Sequence, residues 1–413
     1  MIVPDPNFRP NPDRAIYVQG TIDQGTVDRL TPEIIKLTVG NRGPITVFID
    51  SPGGNVASAE VILKLLQATN QDNDPACWLI TVVTSRAASA AADLLSSGNY
   101  AIAYPESTLL YHGVRTPSVS GITVELASLL AESLKISNDR YAMALTRKSE
   151  WRFMFRFMGL RGKFAEHRTA TGNPRLTELD CFVAMLRENI SNKAKPVIDQ
   201  AYKRYLRYND LITHFLKVAT RDKRFMASAG GGKAYSEGVM LRGIINFEIA
   251  SNKKNKDWTF QDGGLVRLTD DFYLLQEYFS SVTSEQFKEI CGRWGQYVLT
   301  EEQKAELAVV PAEEKEAKTL EKVRPHFQPL WSFFVALCHA LQEGENELSG
   351  ADAFWLGLID EVIGMPHLPL TRYLAEYQAD PELPQGPEKN LQPKELPSEF
   401  AVSAPQESGN APA

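Results

Sequence analysis

The chain has 413 residues, 43% of them hydrophobic and 23% charged, with a formal net charge of −7. This composition suits a globular protein with ample core, and it excludes a fibre or a wholly disordered chain. The acidic balance gives no global drive toward nucleic acid, so nucleic acid is not the default partner. Cys77, Cys181, Cys291 and Cys338 lie far apart with no CxxC spacing. Neither a zinc module nor a disulfide framework is indicated, and reduced thiols fit a cytoplasmic protein. The N-terminus lacks a basic and apolar leader pattern, and no apolar run reaches the ~18 residues of a membrane span, so no membrane partner is expected.

Residues 1–14 are rich in Pro, Asn and Asp and read as an irregular arm. Ala15-Ile-Tyr-Val-Gln19 then has the β-branched and aromatic character of a strand. A helical pattern runs from about Thr26 to Val39, with Val27, Leu30, Ile34, Ile35 and Leu37 roughly on one face. Pro44 to Asp50 reads as a second strand, Ser51-Pro-Gly-Gly54 forces a turn, and Val56 to Ala68 is again amphipathic. A third strand, Trp78 to Val83, leads into Thr84 to Gly98, where Ser89 is embedded among alanines at the start of a helix. Free N–H groups and the positive end of the helix dipole favour developing negative charge there. Taken alone, the stretch reads more simply as a small-residue packing helix. Tyr100 to Ala103 and Ser107 to His112 are short strands that put His112 at a strand end, and a long helix spans Gly121 to about Arg147. Repeated βα units of this length argue for a parallel sheet with functional groups at the strand ends.

Val47-Phe-Ile-Asp-Ser-Pro-Gly-Gly54, Ala87-Ala-Ser89 and Pro105-Glu-Ser-Thr-Leu-Leu-Tyr-His112 resemble, in order and at similar spacing, the signatures of the Clp protease proteolytic subunit family. Leu348 to Ile363 is similar to that family's closing helix and strand. The resemblance covers residues 15–147 and 335–365. It implies an α/β ClpP/crotonase-like fold of stacked ββα turns, a Ser/His/acid triad, and a homo-oligomeric ring that hydrolyses peptides or unfolded proteins. Whether an ATPase or other regulatory partner serves the ring is left open. Carried over by position, Ser89 matches the nucleophile, His112 the general base, and Gly53, Gly54 and Ala90 the oxyanion hole, while Glu345 stands where an Asp usually completes the triad. Ser85 replaces a glycine four residues before the nucleophile, and Gly-Val-Arg115 follows His112 where Gln-Pro is usual. No cofactor or metal is implied, and His167, His214, His326, His339 and His367 lack ligand spacing.

About two hundred residues separate Arg147 from Glu345, so residues 148–334 read as an inserted, mainly helical domain between 15–147 and 335–377. Its helices are expected at Leu179 to Glu188, Lys195 to Val218 and Asp270 to Tyr278, with Gly-rich turns at Ala227 to Lys233 and Gln261 to Gly264. Gly-Gly-Gly-Lys233 lacks the Ser or Thr of a phosphate loop and reads as a flexible turn. Arg147 to Phe164 interleaves basic and aromatic residues, as a single-strand nucleic-acid platform would, but an amphipathic partner-binding helix is the commoner meaning. The acidic run Glu301 to Glu321 reads as a solvated helix face or linker. Residues 378–413 are polar and Pro-rich and are expected to be disordered. Three functions stay open: a serine peptidase, a catalytically weak or inactive scaffold whose insertion binds a partner, and acyl-CoA chemistry on the related crotonase fold. The last needs oxyanion donors but not the Ser89/His112 pair. If the insertion positions Glu345 only in some states, the site is switched.

Overall fold

The computed structural model describes residues 10–40, 43–68, 76–116, 121–221 and 298–364, with isolated positions between 274 and 287. The Gly-rich turns near 230 and 262, most of the helix expected from Asp270, Cys291, His367 and the tail after 377 lie outside the described residues.

Strands β1 (Ala15–Gln19), β2 (Ile45–Ser51), β3 (Leu79–Ala88) and β4 (Tyr100–Ala103) form a parallel sheet in that order, extended by β7 (Glu361–Val362) beside β4. Helices α1 (Gln24–Gly40) and α2 (Val56–Leu66) alternate with them. α1 buries Val27, Leu30 and Ile34, and α2 buries Ala59, Ile62 and Leu66, which is the stripe their apolar spacing dictates. On strands covered from both sides, apolar side chains run nearly without break: Ile45, Val47 and Ile49 face the main core, while Ile80, Val82, Tyr100 and Ile102 form a second cluster.

Strand β3 forks. Its first half pairs with β4, whereas Arg86 to Ala88 pairs with β5 (Thr108–His112), whose other edge runs antiparallel to β6 (Glu345–Ser349). The strand therefore continues five residues past the expected end at Val83, directly up to Ser89. α3 (Ala90–Ser96) starts at the next residue.

Helix α4 (Val124–Leu160) has 37 residues, about 55 Å at 1.5 Å per residue. Its first half is largely exposed, but from Ala142 onward it is buried on nearly every side. Phe153 lies at the centre of an aromatic cluster, with ring centroids 5.2 Å from Phe182, 6.0 Å from Phe333 and 4.4 Å from Phe334. Two basic residues of this segment, Arg152 and Arg156, are buried too. Arg152 pairs with Asp360 at 2.7 Å and donates to the carbonyls of Ser96 and Gly98; Arg156 donates to the Ile359 carbonyl and stacks over Phe354. Arg152 to Phe157 is thus core, with its cations and rings unavailable to a nucleic-acid strand.

The remaining α-helices among the described residues include α5 (Phe164–Thr171), α6 (Glu178–Asn189), α7 (Lys195–Arg221), α8 (Glu301–Ala308), α9 (Ala312–Leu341) and α10 (Gly350–Trp355). The acidic run is therefore α8 and the exposed start of α9, whose last two turns are apolar and buried apart from His339. The boundary expected at 147/148 falls inside α4, and that at 334/335 inside α9. These two helices carry one continuous hydrophobic core from the sheet into the helical region.

Candidate active site

Ser89 sits between β3 and α3 with φ 55° and ψ −128°, the only non-glycine at positive φ among the described residues. Such a conformation costs of order 1–3 kcal/mol and persists only where surrounding structure enforces it. Here the Ser89 N–H donates to the Leu110 carbonyl at 2.7 Å, and the Ser89 carbonyl accepts from Ala92 and Asp93 N–H groups, beginning the helix. The alanines on either side are buried, so no side chain obstructs the tight turn.

The turn Ser51 to Asn55 presses against it from β2. A Cβ on Gly53 would stand 2.3 Å from the Ala88 carbonyl oxygen and 2.8 Å from Ser89 Cβ, and one on Gly54 would stand 2.3 Å from the Ile22 carbonyl oxygen. Both positions also have positive φ, +87° and +151°, so glycine is required twice over. Gly53 is fully engaged in the turn: its N–H donates to Ser51 Oγ at 3.0 Å and its carbonyl accepts from the Ile22 N–H at 2.9 Å. Around Ser89, the N–H of Gly54 takes no part in the turn's hydrogen bonds, and Ala90 is the first residue of α3, where a helix leaves its N–H donors unmet.

A cleft of about 250 Å³ opens here, lined by Gly54, Ser89, Ala90, His112, Arg115 and Gln342 among others. Ser89, His112, Gly54 and Ala90, singled out from sequence, thus face one space. Gly53 stands behind it, supporting the turn. His112 ends β5, half-buried, and its Nδ1 donates to the Gly113 carbonyl at 2.6 Å, which leaves Nε2 as the unprotonated nitrogen in the neutral ring.

Glu345 lies directly opposite His112 in the β5–β6 ladder. Paired residues of an antiparallel ladder project on the same face with Cβ atoms ~5 Å apart. Its carboxylate nevertheless pairs with Arg115, and both side chains are about two thirds exposed, at 66% and 60%. The turn leading into β6 is held from the helical region: Gln200 and Arg204 on α7 both bind the Glu343 carboxylate, and Asn346 donates to the carbonyls of Ala340, Leu341 and Glu343. Ser85 projects into solvent from β3, so replacing the expected glycine adds no obstruction.

Asp93 and Tyr141 also line the cleft and were not foreseen, although Asp93 follows Ser89 by four residues and so shares its helix face. Burial pushes the Asp93 carboxyl up to about 6, opposed by the Lys148 ammonium, while burial lowers the Lys148 amine against the pull of Asp93 and Glu60. Cys77, Cys181 and Cys338 are buried thiols that form no disulfide with one another. Among the described residues no group of His, Cys, Asp and Glu is arranged to hold a metal ion, and no helix is long and apolar enough to cross a membrane.

Residues 9–144 match the Clp protease family. The chain carries a ClpP-like domain. It is 28% identical over 137 residues to the ATP-dependent Clp protease proteolytic subunit 1 of Rhodococcus jostii, covering 32% of this chain and 58% of that protein. Against the subunit 1 of Thermobifida fusca it is 29% identical over 130 residues, covering 31% and 56%, and against the subunit 2 of Mycobacterium tuberculosis 28% over 138 residues, covering 32% and 60%. The chain therefore spans less than two thirds of the length of these curated relatives. The ClpP-like match includes Ser89 and His112 and ends well before Glu345.

Proposed function

We propose that the chain is a ClpP-type serine peptidase. Ser89 Oγ attacks a peptide carbonyl as His112 Nε2 takes its proton. The tetrahedral oxyanion is held by the N–H groups of Gly54 and Ala90, a contribution of ~3 kcal/mol per donor in the transition state. His112 then protonates the leaving amine, and water hydrolyses the acyl-enzyme by the reverse proton route. Glu345 orients the imidazole once its carboxylate leaves Arg115. The observation that carries this reading is the Ser89 turn, a serine at φ 55° at a helix N-terminus facing a cleft that it shares with His112. A packing helix alone has no use for that conformation, and acyl-CoA chemistry has no use for the serine.

The proposal includes assembly, in the cytoplasm. The exposed half of α4 carries Leu129 and Ile136, 64% and 39% exposed and two turns apart on one face, an apolar strip suited to a second copy in a homo-oligomeric ring. The substrate class is peptides or unfolded proteins. An inactive scaffold is the second reading, favoured by the resting contacts of His112 with Gly113 and of Glu345 with Arg115.

The test is incubation of the purified chain with denatured proteins and a peptide mixture, scored by mass spectrometry for new termini. Cleavage that Ser89→Ala abolishes supports the peptidase. Equal cleavage by both proteins, or none by a folded, oligomeric wild type, favours the scaffold.

A further inference from the structure

Arg115 has no place in the chemistry so far. It follows His112 by three residues, lines the same cleft, and is 60% exposed, with its guanidinium paired to the carboxylate of Glu345. Glu345 in turn stands across the ladder from His112, so reaching the imidazole needs new side-chain rotamers for the two residues and no change of backbone register. The His112 Nδ1 proton is meanwhile held by the Gly113 carbonyl, a neutral acceptor. One carboxylate therefore has two cationic or proton-donating claimants, and the one that holds it at rest opens toward the substrate. Guanidinium groups bind carboxylates through paired N–H donors, so an incoming carboxylate competes for Arg115 on equal terms.

Resting on the peptidase reading, we propose that Arg115 recognises a carboxylate of the substrate and, in binding it, releases Glu345 to orient His112. Acidic peptides are then preferred twice, by the contact with Arg115 and by completion of the triad. The carboxylate is either an acidic side chain near the scissile bond or the free C-terminus of a short peptide. The backbone beneath this exchange is fixed: Val114 N–H donates to Asn138 of α4 at 2.7 Å, and Glu343 is clamped by α7. The exchange is accordingly one of side chains.

The experiment measures kcat and KM of the full chain on three peptides of one sequence: an internal Glu with an amidated C-terminus, an internal Gln with an amidated C-terminus, and an internal Gln with a free C-terminus. An exposed ion pair is worth up to ~1 kcal/mol, which is about fivefold in rate or binding. We expect one of the two acidic peptides to exceed the neutral amide by about fivefold or more, which identifies the source of the carboxylate. Arg115→Gln should erase that preference and raise kcat on the neutral amide, because Glu345 is no longer held. Arg115→Lys should restore part of the preference, and Glu345→Gln should lower kcat on all three peptides. The proposal is overturned if wild type shows no acidic preference, if Arg115→Gln lowers all three rates alike, or if Glu345→Gln leaves kcat unchanged. Fluorophosphonate labelling of Ser89 in each variant separates the two readings: a labelled wild type without acidic preference loses only the role of Arg115, whereas an unlabelled, inert wild type loses both.

Discussion

Replacing Gly53 by Ala tests whether the Ser51 to Asn55 turn shapes the nucleophile. The new Cβ would lie 2.3 Å from the Ala88 carbonyl oxygen and 2.8 Å from Ser89 Cβ, against the ~3.5 Å or more of an ordinary non-bonded contact. Both obstacles belong to a backbone fixed by the β3–β5 ladder and the Ser89 to Leu110 hydrogen bond, so relief requires a shift of roughly an ångström at the Ser89 turn. Holding alanine at φ +87° adds a cost of ~1–2 kcal/mol. A displacement of ~1 Å at a reacting group lowers rate by about 100-fold. Gly172→Ala is the control, since Gly172 also has positive φ, +65°, but nothing within 4 Å of the added Cβ. The melting temperature should fall slightly in Gly172→Ala and further in Gly53→Ala, which bears the clash as well as the strain, while fluorophosphonate labelling of Ser89 in the folded protein should slow about 100-fold in Gly53→Ala alone. Labelling of Gly53→Ala at the wild-type rate would refute the argument that the glycine turn sets the serine.

Three further outcomes follow from the packing around the site. Burial pushes the Glu150 carboxyl from 4.5 up to about 8, against hydrogen bonds from Ser281 and Trp331. A folded-state value above the unfolded one means that Glu150 stabilises the protein at low pH and that this is lost as pH rises from about 4.5 through about 8. Thermal melts should show wild type losing stability from pH 6 to 9 and Glu150→Gln losing markedly less. Asp360→Ala leaves Arg152 buried without its carboxylate and should destabilise by ~3–5 kcal/mol in urea titration, with Asp360→Asn milder because an oxygen remains for the Ala101 N–H. Arg204→Ala combined with Gln200→Ala frees Glu343 and should lower peptide kcat several-fold with little change in melting temperature, read from steady-state kinetics beside calorimetry.

Much of the sheet is readable in the sequence because its strands are local runs of β-branched residues bounded by Pro and Gly turns. β3 is longer than its apolar run: Arg86, Ala87 and Ala88 are strand because β5 supplies a partner about twenty residues later and Ser51 of β2 pairs with Ala87. α4 is likewise longer than expected. Arg147-Lys-Ser-Glu150 looks like a polar helix end, yet Glu150 is covered by Ser281 and Trp331, and Arg152 by Asp360, 208 residues away. Contacts at that range leave no mark in local periodicity. The same holds at the site. Ser89 and His112 could be found because each ends a strand within one contiguous block, and the ladder does bring Glu345 opposite His112. Which cation its carboxylate chooses is a side-chain matter that spacing does not encode, and Arg115 was visible only as a departure from the expected Gln-Pro.

The account's central claim is that Ser89 is a nucleophile made reactive by His112. Its most direct measurement is covalent labelling of the intact chain with a fluorophosphonate, followed by mass-spectrometric mapping of the modified peptide in wild type, Ser89→Ala and His112→Ala. The account predicts a single adduct on Ser89 in wild type, none in Ser89→Ala, and labelling slowed by orders of magnitude in His112→Ala. A folded wild type that carries no adduct on Ser89, or one whose labelling rate is indifferent to His112, would contradict it.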